Sequence, residues 1–105
     1  MKYLKIKKQA DFQKLFSKGK RAFTPSFTLI YTPFKENRLG ISVGKRHGKA
    51  VKRNRIKRLI RESFRSSIEN LEKSYSFIVI PKVKEEYSFQ EYKRHFKKIF
   101  EKEKL

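Results

Sequence analysis

Ten Lys or Arg residues and a single acid, Glu62, lie between Lys45 and Arg65, and a helical apolar period runs through that cationic stretch. Val51, Ile56, Leu59, Ile60, Ser63, Phe64 and Ile68 are spaced so that most fall on one stripe at intervals of three and four. Such a stripe must be buried against a core. The chain therefore has to dock one side of this helix and leave the charged side open, which a disordered basic tail has no reason to do.

The arrangement carries a local cost. Arg53, Lys57, Arg61 and Arg65 repeat at i, i+4, where like charges destabilise a helix by about 0.2–0.5 kcal/mol per pair. Lys49, Lys52 and Arg53 fall in or next to the first turn, where unpaired N–H groups and the helix dipole already favour an anion. A phosphate relieves both problems. Arginine at Arg53, Arg55, Arg58, Arg61 and Arg65 points the same way, because guanidinium forks bind phosphate bidentately and exceed what solubility requires.

At 105 residues the chain is long enough for one domain, 1–105, and too short for two. Its net charge of +19 makes the whole surface basic, with nine of those charges focused in the run 45–65. Nucleic acid is the first partner such a balance suggests. No segment approaches the roughly 18 apolar residues of a membrane span, and the N-terminus lacks the apolar stretch of a signal peptide, so a cytoplasmic location is expected. Zero cysteine excludes disulfides and thiolate zinc sites.

Residues 1–8 read as an irregular basic lead-in. A short helix is predicted over Gln9–Lys18, with Phe12, Leu15 and Phe16 on one face and Gly19 as its C′ stop. Residues 21–34 are extended, broken at Pro25, with Phe27, Leu29 and Tyr31 alternating with Thr28, Ile30 and Thr32. After a hairpin-like Glu36-Asn37-Arg38 connection, Leu39–Val43 forms a second strand expected to pair antiparallel with the first. The basic helix should run from after Gly48 to about Leu71. Tyr75–Ile80, ending at Pro81, is a nearly continuous apolar run expected to be buried on both faces. Ser88 and Glu91 are spaced as a capping box opening a last helix, with Phe89, Tyr92, Phe96, Ile99 and Phe100 on one stripe.

Asp11 is the only aspartate and the nine glutamates sit mostly among lysines, so no carboxylate cluster for two-metal phosphoryl chemistry is apparent. His47 and His95 lack ligand or base partners at useful spacing and read as surface or RNA-contacting residues. Phe12, Phe16 and Tyr31, or Phe27 in its place, fit either an ordinary core or a stacking platform for unpaired bases. Composition does not choose between them.

The segment Arg53-Asn54-Arg55-Ile56-Lys57-Arg58-Leu59-Ile60-Arg61-Glu62, preceded by Leu39–Val43 and Gly48-Lys49-Ala50-Val51, closely resembles the signature of the bacterial ribonuclease P protein family. Asp11-Phe12-Gln13-Lys14 with Phe16 and Gly19 is similar to that family's first helix, and Phe77–Pro81 to its last strand. The resemblance implies an α+β fold, a two-layer-type sandwich of three helices and a central mixed sheet of about four strands, with a left-handed βαβ crossover around the signature helix. Strand order alone suggests a right-handed one. It also implies an accessory subunit of a ribozyme, with ribonuclease P RNA and the 5′ leader of precursor tRNA as partners. No cofactor is implied in the protein, the Mg²⁺ being bound by the RNA. Carried over by position, Lys45, Arg46, Lys49, Lys52, Arg53, Asn54, Arg55, Lys57, Arg58, Arg61 and Arg65 would face RNA, and Phe12, Phe16 and Tyr31 would line the leader cleft. Basic composition alone equally permits a structural ribosomal or other RNA-packaging protein. A DNA-reading helix is disfavoured by the lack of a helix-turn-helix partner or dimer seam.

Overall fold

The apolar run near the C-terminal third becomes the centre of a five-stranded sheet. The computed structural model describes residues 3–105, so the first two residues of the lead-in lie outside it. The elements are β1 (Leu4–Lys5), α1 (Gln9–Lys18), β2 (Lys20–Phe23), β3 (Phe27–Pro33), β4 (Arg38–Ile41), α2 (Ala50–Ser67), β5 (Tyr75–Pro81) and α3 (Phe89–Lys102). Sheet order is β1-β4-β5-β3-β2. In β5 the side chains of Phe77, Ile78 and Val79 are all fully enclosed, as expected of a strand covered on both faces.

The expected β3–β4 pair does not form, because β5 inserts between the two. It runs antiparallel to β3, Ile30 facing Ile78, and parallel to β4, Gly40 facing Ile78. The 34–37 connection straddles the start of β5: Phe34 N–H donates to the Ser74 carbonyl, and Asn37 Oδ1 accepts from Tyr75 N–H. The two strands keep opposite directions and lose adjacency, because only β5 is apolar enough to be covered on both faces.

Two further expectations change at the edges. Pro25 turns the extended stretch into a hairpin, with Thr24 Oγ1 accepting from the Ser26 and Phe27 N–H groups, so β2 and β3 are separate strands. The lead-in is not irregular throughout, since Leu4–Lys5 pairs parallel with β4 and Ile6, buried, donates to the Leu39 carbonyl. These strands raise the count from about four to five.

Alternation along the strands sorts two cores. Phe27, Leu29, Tyr31, Leu39, Phe77 and Val79 meet α2 and α3 through Ile56, Ile60, Phe64, Phe96 and Phe100. On the other face Ile30 and Ile78 meet Leu15 of α1. α2 and α3 make one helical layer, and α1 lies on the other face of the sheet.

The β4–α2–β5 crossover is left-handed, as the resemblance implies. Val79 turns its side chain toward α2 while its carbonyl accepts from Ser42 N–H, just beyond β4. For an L-residue in a strand running upward, viewed from its side-chain face, the carbonyl points right. β4 therefore lies to the right of β5, and the chain passes leftward in front of the sheet, against the usual hand.

α2 ends at Ser67 and continues as one 3₁₀ turn to Asn70, close to the expected Leu71. Val51 leaves the stripe and is 83% exposed. It lies five residues before Ile56, about 140° round the helix at 100° per residue. Gly19 ends α1 without the left-handed conformation of a C′ glycine, its φ being −72°. It is needed for close approach, since a Cβ there would lie 2.5 Å from Ile30 Cγ2 and 2.6 Å from the Leu15 carbonyl oxygen. At α3 the Ser88 side chain caps Glu91 N–H as expected, while the Glu91 carboxylate pairs with Lys84.

Neither histidine is on the surface. His47 Nε2 donates to the Pro81 carbonyl at 2.8 Å, which fixes its tautomer because a carbonyl only accepts. His95 Nδ1 shares a 2.6 Å hydrogen bond with Ser26 Oγ, tying α3 to the β2–β3 turn. Burial, with Arg94, Lys84 and Lys98 nearby, holds the His95 imidazole below its usual 6.5 despite Glu91. The unfolded chain thus takes up this proton more readily. The contribution is complete above about pH 6.5 and is lost as pH falls from there through the lowered folded-state value. Urea midpoints at pH 7.5 and 5.5 should drop more for the native chain than for His95→Gln. Equal drops would remove His95 as the source.

Candidate RNA interface

α2 presents the cationic side of its stripe outward. Arg55, Arg58 and Arg65, with Asn54, are exposed, while Arg53, Lys57 and Arg61 are half-buried along the flank of the packed stripe. Lys45 and Arg46 sit exposed in a 3₁₀ turn ahead of α2, whose position His47 fixes through Pro81. Lys49 is the N-cap residue, makes no side-chain cap, and is followed by a first turn without an acid. The amides there are unpaired next to Lys49, Lys52 and Arg53, so the electrostatic frustration inferred from the sequence is present in the fold.

None of these cations makes an ion pair among the described residues. Lys52 lies over the Tyr87 ring at 5.8 Å, and Arg53 Nε is enclosed without a hydrogen-bonding partner. Asp11, Glu91 and Glu103 are ion-paired, and each lies outside α2. A helix that keeps a row of guanidinium and ammonium groups unneutralised is suited to a phosphate backbone.

The aromatic residues form a second surface on the opposite side of the sheet. Phe12 and Phe16 are half-buried on α1, packed toward Ile30, Ile78 and Ile80. An Arg38–Asp11 ion pair of 3.4 Å anchors the other flank of α1 at the Arg38 end of the sheet, where Arg38 also reaches Ser76 Oγ at 2.9 Å. On the same face the cross-sheet row Phe23, Thr28 and Ile80 is left partly or wholly uncovered.

Tyr31 does not join them. It points through the sheet to the α2–α3 side, where it is buried, edge-on to Tyr75, and donates to Glu103 Oε1 at 2.5 Å. Burial and the neighbouring carboxylate raise its pKa. Phe27 is equally enclosed, 4.5 Å from Phe96 between ring centroids. The third aromatic on the α1 side is Phe23, 65% exposed and opposite Thr28. A hairpin reading at Pro25 would have found it, because antiparallel partners share a face. Arg21, opposite Ile30 on the same face, donates to the Phe16 carbonyl.

Comparison with known proteins identifies the family. The family model described as Ribonuclease P matches residues 1–104. This chain belongs to the ribonuclease P protein family. The ribonuclease P protein component of Macrococcus caseolyticus is 49% identical over 82 residues, covering 75% of this chain and 70% of that protein. That of Caldanaerobacter subterraneus is 36% identical over 107 residues, covering 99% and 92%. Among solved structures, the ribonuclease P protein of Staphylococcus aureus superposes with a TM-score of 0.82 at 31% identity, covering 96% of this chain and 95% of that one. The Thermotoga maritima protein gives 0.77 at 29%, covering 90% and 96%.

Two glycines seat the family's first helix, with different tolerances. A Cβ on Gly40 would clash with the tip of the Phe12 ring at 2.7 Å and touch Ile6 Cβ at 3.5 Å, whereas one on Gly19 clashes with the Leu15 backbone oxygen. Gly19→Ala should cost about 1–3 kcal/mol by overpacking. Gly40→Ala should cost less and displace the ring. Thermal melts together with the aromatic carbon shifts of Phe12 check this, and equal stability losses would contradict it.

Proposed function

We propose that this chain is the protein subunit of a ribonuclease P ribonucleoprotein, binding the catalytic RNA along α2 and the 5′ leader of precursor tRNA in the groove beside α1. The observation that carries the reading is the separation of two surfaces suited to nucleic acid on opposite faces of one sheet. One is a cationic helix whose Lys and Arg make no ion pair among the described residues, the other a set of half-buried and exposed aromatics, Phe12, Phe16 and Phe23.

On this reading Arg55, Arg58, Arg61 and Arg65, with Lys45, Arg46, Lys49, Lys52, Arg53, Asn54 and Lys57, neutralise phosphates of the RNA and let its segments approach one another. That raises Mg²⁺ occupancy indirectly. Phe12, Phe16 and Phe23 offer faces to unpaired leader bases, over a floor of Thr28 and Ile80. No group of three His, Asp or Glu converges among the described residues. We assign the hydrolysis that releases the leader to the RNA and its Mg²⁺. No helix among the described residues is long and apolar enough to cross a membrane, and we place the particle in the cytoplasm.

Adding the protein to its cognate RNA at low Mg²⁺ should increase cleavage of precursor tRNA. No change in cleavage or substrate affinity would overturn the proposal. Arg58→Ala should weaken RNA binding and make its salt dependence shallower by about one. Phe23→Ala should leave stability within about 0.5 kcal/mol, as for other exposed sites, and selectively weaken precursors with long leaders. Equal losses for precursor and mature tRNA would remove the leader assignment. Phe16→Ala should show the same selectivity, checked by circular dichroism because a buried Phe lost to Ala costs about 3–5 kcal/mol.

A further inference from the structure

We propose that the outer face of α3 is a second contact surface for the same catalytic RNA that α2 holds, an inference that rests on the reading of α2 above. Lys93, Arg94, Lys97 and Lys98 are exposed, and none makes an ion pair among the described residues. Lys93 and Lys97, Arg94 and Lys98, and Lys98 and Lys102 stand at i, i+4, the same unfavourable like-charge repeat found on α2. Glu101, four residues after Lys97, is the one acid of α3 left without an ion pair among the described residues. Glu91 is paired with Lys84, and Glu103 with Lys20 while accepting from Tyr31. A chain of net charge +19 needs no further cations for solubility.

Position selects the partner. α2 and α3 lie side by side on one face of the sheet, Phe64 and Phe96 meeting at 5.6 Å between ring centroids. Packed helices have axes about 8–10 Å apart, so the two cationic rows open to the same side. Between them runs a groove of about 640 Å³, with Ser66 and Ser67 on the α2 bank, Lys93 and Lys97 on the α3 bank, and Leu71 and Phe100 below. Glu72 and Glu101 also line it, and neither is ion-paired to those lysines. The aromatic groove lies behind the sheet, so a leader held there does not reach α3. The polyanion that meets α3 is the one already on α2.

The chain has no cysteine, so a single introduced thiol is a unique attachment point. Lys97→Cys carrying a hydroxyl-radical-generating iron chelate, assembled with the cognate catalytic RNA, is expected to cut that RNA. Asn54→Cys with the same chelate reports on α2. Cutting from position 54 and none from 97 overturns the proposal and leaves the reading of α2 intact, whereas no cutting from either overturns both. In parallel, Lys93→Gln/Lys97→Gln should lower affinity for the catalytic RNA alone and make its salt dependence shallower by about two. Lys14→Gln/Lys18→Gln, the same spacing on α1 across the sheet, should do neither. Equal slopes for the two double variants, with unchanged helical circular dichroism, would also overturn the proposal.

Discussion

The strand Tyr75–Pro81 is the constraint on which the molecule depends. Covered on both faces, it belongs to both cores at once, giving Phe77 and Val79 to the α2–α3 layer and Ile78 to the α1 layer. The two surfaces proposed to bind nucleic acid are therefore the outer sides of layers that share one strand. Their spacing does not depend on any surface contact. A cavity made in β5 would loosen both together, whereas the surface side chains can vary separately.

The two surfaces differ in what the fold holds in tension. Along α2 the cost is electrostatic: repeated cations, an uncapped cationic first turn, and an enclosed guanidinium nitrogen without a partner. Packing of Ile56, Ile60 and Phe64 keeps that helix formed despite the repulsion. Around α1 the cost is exposure of apolar area, since Phe23 stands open and Phe12 and Phe16 are only half covered. Each surface withholds something that a polyanion with unpaired bases supplies.

Local periodicity made much of this legible. The bounds of α1, the α2 stripe from Ile56 to Phe64, the Ser88 cap and the double-sided burial of β5 all follow from neighbours within one or two turns, or from alternation. The outward cations of α2 follow from the same stripe. What failed depended on distant partners. β3 and β4 were not seen to be separated, because adjacency in a sheet is a competition among all strands. Tyr31 was assigned to the wrong face because its strand could not be oriented until Ile30 was seen against Ile78 and Leu15. The histidines look solvent-facing in sequence, and their partners lie 69 and 34 residues away.

The strand order also says when the sheet can close. β2 and β3 are joined by a short turn and can pair as soon as both exist. β4 finds its long neighbour only in β5, which follows the whole of α2 in the chain, and β3 waits for the same strand. Non-local pairings of this kind are slow to form, because loop closure must be met before contacts reward it. During synthesis the cationic helix is thus made before the strand beneath it, so its apolar stripe and its charges are both exposed for a time. An anionic polymer close by at that moment would meet a helix still free to adjust its docking.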